Sequence, residues 1–332
     1  MAQQPAPHTN TAPFRTELAD STSGLDDLLP ATARGPNHDL FAPASPAQDP
    51  RFLETELSLK RLNAIHTSLW KAGRPMPARH LGHQLVLSRE IVLTEEMDLH
   101  LVWGMKGIYI KPLPKFLLVE GFWAANLVAL NTDTTKLGKL REELNACARG
   151  LLYSYCSLIA YESDFDIAKA HKLLPREITW SNWRKWVDEV LASCTYDTIN
   201  PRFWYGELRL GRLNKIYRYE KGYILRGYSR LGAPSTYSEL LRDNLGLLAA
   251  TLGYVVIVLT AMQVGLATSH LGSSLAFQDV SWGFTVLSMV APLVALFIIL
   301  LFSIIVFLRN WLATLKFEQE RFNSIGRNPR TG

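Results

Sequence analysis

His80 and His83 have the spacing of metal ligands, with Glu90 and His100 farther along the chain. A stable cation site needs three or four donors at fixed distances. No His-Glu-x-x-His, no cysteine pair and no third donor at a set interval accompanies them, and Arg79 is an unfavourable neighbour for a cation. The carboxylates Glu95, Glu96 and Asp98 could form an acid-base pair, but three acids so close in sequence read as a solvated turn. Cys147, Cys156 and Cys194 are odd in number and lack Cys-x-x-Cys spacing, so they read as reduced structural thiols. No Gly-x-x-x-x-Gly-Lys-Ser/Thr and no Gly-x-Gly-x-x-Gly occurs. Neither a metal nor a cofactor is expected.

Nucleophilic chemistry fares no better. Ser288-Met289-Val290-Ala291-Pro292 echoes the subtilisin nucleophile signature Gly-Thr-Ser-Met-Ala-x-Pro. Val286 and Leu287 stand where Gly and Thr belong, and no Asp-Thr/Ser-Gly or His-Gly-Thr segment supplies an acid and a base. Gly227-Tyr228-Ser229-Arg230-Leu231-Gly232 misses the Gly-x-Ser-x-Gly elbow by one residue. The expectation is a protein that is not an enzyme.

Charge is more informative. From Asn200 to Arg230 the chain is basic and aromatic at once. Arg209, Arg212, Lys215, Arg218, Lys221, Arg226 and Arg230 are interleaved with Tyr217, Tyr219, Tyr223 and Tyr228. Phosphate neutralisation with base stacking could use such a surface, but its position argues for lipid instead. It ends shortly before an apolar run, where anionic headgroups attract each cation by about 1 kcal/mol. These seven residues are the expected anionic-lipid contacts, and nucleic acid is not an expected partner.

The elements that would position them begin with two uncharged apolar runs, Leu245 to Ala267 and Trp282 to Leu308, each longer than the roughly 20 residues that cross a bilayer. The connector 268–281 has no Lys or Arg, whereas Arg226, Arg230 and Arg242 precede the first run and Arg309, Lys316, Arg321, Arg327 and Arg330 follow the second. The positive-inside rule then gives a two-pass hairpin with both termini cytoplasmic and 268–281 as a non-cytoplasmic loop. Trp282 and Trp311 bracket the second run as interfacial anchors. Pro292 is expected to kink it, and Ala249 with Gly253 and Ala261 with Gly265 offer small-residue contact faces.

Residues 1–50 hold eight of the 17 prolines and read as a disordered tail. Residues 51–241 read as one α+β cytosolic domain, and 309–332 as a basic cytoplasmic tail. Within the domain, periodicity predicts a helix over Phe52 to Lys71, strands over Gln84 to Thr94 and Leu99 to Lys111, and helices over Lys136 to Tyr161 and Asp164 to Leu174, the last capped by Ser163. Trp180, Trp183 and Trp186 read as a packing stripe.

Two stretches, Leu101-Val102-Trp103-Gly104-Met105-Lys106-Gly107-Ile108-Tyr109-Ile110-Lys111-Pro112-Leu113-Pro114 and Tyr205-Gly206-Glu207-Leu208-Arg209-Leu210-Gly211-Arg212-Leu213-Asn214, together with the apolar hairpin, resemble a family of filamentous-fungal membrane proteins of unknown function. Some of these carry a subtilisin-like protease label that the residues above do not support. The layout also resembles CorA-type magnesium channels, but Ala261-Met262-Gln263-Val264-Gly265 replaces their Gly-Met-Asn, and Gly227, Gly232 and Pro234 interrupt the long helix that enters their first span. The resulting expectation is a membrane-anchored cytosolic domain that binds anionic lipid headgroups, a protein partner or a second copy of itself. A divergent CorA-like channel subunit is the alternative, and a membrane-tethered enzyme the third.

Overall fold

The computed structural model describes residues 11–18, 28–34, 41–42, 44, 51–128, 136–220, 228 and 237–325. The chain divides into two compact units, Met1–Ala233 and Pro234–Gly332. The first is mixed α+β and mostly helical. The order of its elements is β1 (Ala33–Arg34), β2 (Phe41–Ala42), α1 (Arg51–Leu57), α2 (Lys60–Asn63), α3 (Leu81–Val86), β3 (Ile91–Leu93), β4 (Val102–Gly104), β5 (Gly107–Ile110), α4 (Glu120–Asn126), α5 (Lys136–Leu158), α6 (Glu162–Ala170), α7 (Trp180–Ser193), β6 (Leu208–Arg209) and α8 (Leu210–Glu220).

α5 is the axis of this unit. Leu144, Cys147, Ala148, Leu151, Leu152, Tyr155 and Leu158 recur at three- and four-residue intervals and are all buried, as the sequence pattern requires of a core-facing helix. Arg149 and Gly150 are buried as well, so neighbours cover more than one face. At Gly150 any Cβ would lie 2.1 Å from the Phe203 ring. α7 packs beside α5. Its first turn is capped by Thr179, whose side chain accepts from the Asn182 amide, and it buries Trp183, Trp186 and Val190. Trp183 and Trp186 stack at 4.9 Å, so two of the three expected stripe residues form a buried pair, with Trp180 partly buried beside it.

The small sheet has the order β3-β5-β4-β6. β4 and β5 form a tight antiparallel hairpin, in which Gly104 pairs with Gly107. β3 runs parallel to β5, and β6 runs parallel to β4. Gly107 adopts φ +137°, and a Cβ there would fall 2.0 Å from the Glu90 carbonyl oxygen. Only glycine permits that backbone and that approach. β6 is drawn in by hydrogen bonds from Leu208 to Leu101 and from Arg209 to Ala72.

Several elements depart from the sequence pattern. The helix expected over Phe52 to Lys71 is broken into α1, α2 and a 3₁₀ turn, His66–Lys71. Leu57 and Leu59 are both fully buried, and residues two apart point about 200° away from each other on one helix. The chain leaves helical geometry between them, at Ser58 and Leu59. The strand expected from Gln84 is helical in α3 up to Val86, and the sheet begins at Ile91. α6 starts at Glu162, with Tyr161 rather than Ser163 preceding its first turn.

Part of the expected N-terminal tail is docked. Thr11–Leu18 lies against the first unit with Pro13, Phe14 and Leu18 buried.

The second unit contains α9 (Tyr237–Leu266), α10 (Ser269–Gly272) and α11 (Leu275–Ile325). Within 268–281, expected as the loop between the two runs, α10 occupies Ser269–Gly272 and α11 begins at Leu275. Pro292 lies inside α11 without ending it. Of the two small-residue pairs, Gly265 packs tightly, with its Cβ position 2.8 Å from the Phe277 ring, whereas a Cβ at Gly253 would meet nothing within 4 Å among the described residues. Among the described residues one window, Ala249–Leu266, is long and apolar enough to cross a membrane. The second apolar run falls partly on side chains outside the described residues.

Candidate functional site

α8 carries the middle of the basic and aromatic segment. Leu210, Leu213, Asn214, Ile216 and Tyr217 are buried, which turns Arg212, Lys215 and Tyr219 outward at helical spacing; Tyr219 is 80% exposed. Arg212 is tied down by a 3.1 Å hydrogen bond from Nη1 to the Lys71 carbonyl. That carbonyl ends the 3₁₀ turn, and beside it Trp70 is 62% exposed. The Lys71 ammonium lies 5.8 Å from the Trp70 ring centre and 2.8 Å from Oε1 of Glu220. Glu220 also accepts from the Ser68 hydroxyl at 2.7 Å. The outcome is an exposed surface of Trp70, Tyr219, Lys71, Arg212 and Lys215 with one carboxylate.

The other expected contact residues behave differently. Arg209 leaves the group: it is exposed on β6, but its guanidinium lies 5.1 Å from the Trp103 ring centre, which Arg89 also addresses at 4.1 Å. Arg218 is half-buried, and its Nε has no hydrogen-bond partner among the described residues. Lys221, Arg226 and Arg230 lie outside the described residues.

Beneath this face lies a polar network that the sequence does not advertise. Arg61 stacks 4.6 Å from the Tyr228 ring centre, donates to the Tyr228 carbonyl, and reaches Oδ2 of Asp98 at 3.4 Å. The Tyr228 hydroxyl donates to the Asp98 carbonyl at 2.6 Å. Asp98 is therefore not part of a solvated turn. Burial pushes its carboxyl up to about 6 against the pull of Arg61, and Oδ1 has no partner among the described residues. Arg202, also buried, donates through Nη2 to the His100 carbonyl at 3.0 Å; burial lowers it to about 10, which leaves it charged at neutral pH.

The histidines separate. His100 is buried, with Nδ1 accepting from the Lys111 amide at 3.1 Å and Nε2 lying 2.8 Å from the Ser154 hydroxyl. Burial first, then Arg202 and Lys111, hold its pKa well below the usual imidazole value. His80 is oriented by Oδ1 of the buried Asp164 at 3.0 Å, while the same carboxylate accepts from the amides of Gly82 and Tyr161. Asp164 thus joins the first turns of α3 and α6. His83 lies with its ring centre 5.9 Å from that of His80. Among the described residues no three His, Cys, Asp or Glu side chains converge as a cation site. The cysteines are buried and unpaired, and burial pushes the Cys147 thiol up to about 12.

A second cluster surrounds Glu207. It accepts from Nη2 of Arg79 at 2.6 Å, Nη1 of Arg89 at 2.5 Å and Nε2 of Gln84 at 2.8 Å. Burial would raise this carboxyl, but the hydrogen bonds from Arg79, Gln84 and Arg89 prevail and hold it near 2. The cluster fastens α3 and the start of β3 to the approach to β6.

These features define a mixed α+β unit followed by an apolar helical unit. The chain belongs to a family of unknown function, DUF6601, whose family model matches residues 49–292. No curated protein and no solved structure matches it.

Proposed function

We propose that the chain is a two-pass membrane protein whose first unit acts at the cytoplasmic surface by binding anionic lipid headgroups. The observation that carries this reading is Ala249–Leu266, an uncharged apolar stretch of which only 6% is buried. Leu252, Tyr254, Val256, Ile257 and Val264 stand exposed along it, and water is a poor solvent for a continuous apolar patch of that size. Trp282 to Leu308 is the second span of the proposal, with both termini cytoplasmic.

The α8 face supplies headgroup chemistry. Lys71, Arg212 and Lys215 offer cations, and Trp70 and Tyr219 are rings suited to the headgroup region. Its role is binding rather than catalysis. The first unit has a surface cavity of about 330 Å³ near Lys115, Lys169, Lys172 and Arg176, but Lys169 is spent on the carbonyls of Arg176 and Ile178, and Lys115 lies 3.9 Å from Glu177.

The test has two arms. Cysteines placed in 268–281 and at each terminus of the full chain, probed with an impermeant thiol reagent in sealed vesicles, should label from opposite sides; same-side labelling defeats the hairpin. Full-length protein in nanodiscs should gain affinity for short-chain phosphatidylserine over phosphatidylcholine, and Arg212→Glu with Lys215→Glu should remove at least tenfold of that preference. An unchanged preference overturns the lipid assignment. A ring-sized oligomer that conducts cations would favour the channel reading instead.

A further inference from the structure

The docked segment Thr11–Leu18 behaves as a ligand of the first unit. Phe14 is 2% exposed, with its ring centre 5.8 Å from Trp186 and 6.2 Å, edge-on, from Trp123. One carboxylate reads the backbone beside it. Oε2 of Glu189 accepts from the amides of Arg15 at 2.6 Å and Thr16 at 2.8 Å, and Oε1 accepts from the Thr16 hydroxyl at 2.7 Å. The Ser193 hydroxyl donates to the Pro13 carbonyl at 2.6 Å, and Arg149 donates to the Thr11 carbonyl at 2.6 Å.

The receptor is built from α4, α5 and α7. A short segment without regular structure, anchored by one ring and read through its backbone, is the arrangement by which protein grooves recognise linear peptides. We propose that this groove is a recognition site for extended peptides of the form Pro-Phe-x-Thr carried by a partner protein, and that Thr11–Leu18 is a built-in competitor that occupies it in cis.

The strap is held chiefly through its backbone and one ring, contacts that another peptide of the same form could make in its place. Nε1 of Trp186, whose ring packs on Phe14, and Nε1 of Trp183 stacked with it have no acceptor among the described residues. The specificity follows from the contacts. The aromatic ring fills the apolar part, the threonine hydroxyl is matched to Glu189, and a phosphate on that hydroxyl would face the carboxylate and be repelled.

The experiment uses the full chain in detergent and a fluorescein-labelled peptide of residues 9–20, with anisotropy as the readout. A cis ligand reduces apparent affinity by the fraction of time it occupies the site. Phe14→Ala should release the strap and bind the peptide saturably, at least tenfold more tightly than the wild-type chain. The peptide with alanine at the phenylalanine position, and the peptide phosphorylated on the threonine matched to Thr16, should each lose at least tenfold. A folded Phe14→Ala chain that binds no peptide, or binds the alanine peptide equally well, overturns the proposal. If Phe14→Ala does not fold, Thr16→Glu releases the strap with Phe14 retained and is read in the same way. If neither chain folds, the strap is an integral part of the core and the proposal falls.

Discussion

Nζ of Lys111, a side chain with no solvent exposure, lies 2.8 Å from Oε2 of Glu56. The ammonium also donates to the Glu95 carbonyl, and the Tyr155 hydroxyl holds the Lys111 carbonyl at 2.6 Å. This ion pair joins α1 to the strand end after β5.

The pair should respond asymmetrically to its two deletions. Glu56→Ala leaves the buried ammonium with only the exposed Glu95 carboxylate, 3.7 Å away, and is expected to cost about 3–5 kcal/mol, whereas Lys111→Met replaces the charge with an apolar chain of similar length and should cost far less. Thermal unfolding of both variants reads the order directly; equal losses would mean that Lys111 reaches water when Glu56 is gone.

Asp98 gives a pH signature. Its folded value of about 6 lies above its ordinary 3.8, so the native state holds the proton more tightly than the unfolded chain. The contribution is therefore most favourable at low pH and is lost as pH rises through about 6. Asp98→Asn should raise stability over the wild type by about 1–3 kcal/mol at pH 8, with the gain vanishing near pH 4. A constant difference across that range would rule out a buried, protonating Asp98.

Glu207 carries the opposite sign. Its folded value of about 2 lies below its ordinary 4.5, so its stabilisation is complete above 4.5 and fades as pH falls toward 2. Glu207→Gln should cost about 3 kcal/mol at pH 7, because Arg79 and Arg89 lose their shared carboxylate, and the deficit should shrink on acidification. Melting curves at pH 7 and pH 3 decide it.

Two glycines in one neighbourhood predict contrasting outcomes. Gly107→Ala places a Cβ against the Glu90 backbone at a positive φ, and should abolish folding of the first unit. Gly211→Ala, on α8, meets nothing within 4 Å and should gain about 0.5–1 kcal/mol from helix propensity. Soluble yield and circular dichroism separate the two; a well-folded Gly107→Ala chain would contradict the strand geometry.

Local periodicity made α5 and the tryptophan pair legible, because their large apolar residues recur at three- and four-residue intervals. It misread Phe52 to Lys71, because a leucine-rich pattern reports burial at Leu57 and Leu59 without reporting that the helix breaks between them. The cations Arg212 and Lys215 stand out within one short stretch, but Trp70 and Lys71 meet them from about 140 residues upstream. Arg79, Gln84, Arg89 and Glu207 are likewise ordinary surface residue types until β6 brings them together. Phe14 gave no local signal at all, since one aromatic among prolines says nothing about the cleft that receives it.

The sheet order has a bearing on how the chain is made. β4 lies between β5 and β6, and β6 is translated about a hundred residues after its partner. Until Leu208 and Arg209 emerge, the outer edge of β4 stays open to any passing strand. Roughly forty residues then separate Arg209 from Ala249, an interval the ribosome covers in about 2–8 s at 5–20 residues per second. The nascent chain thus has only seconds between closing its last strand and presenting its first apolar helix, and a polypeptide truncated just before Leu208 would be left with an edge it has no means to cover.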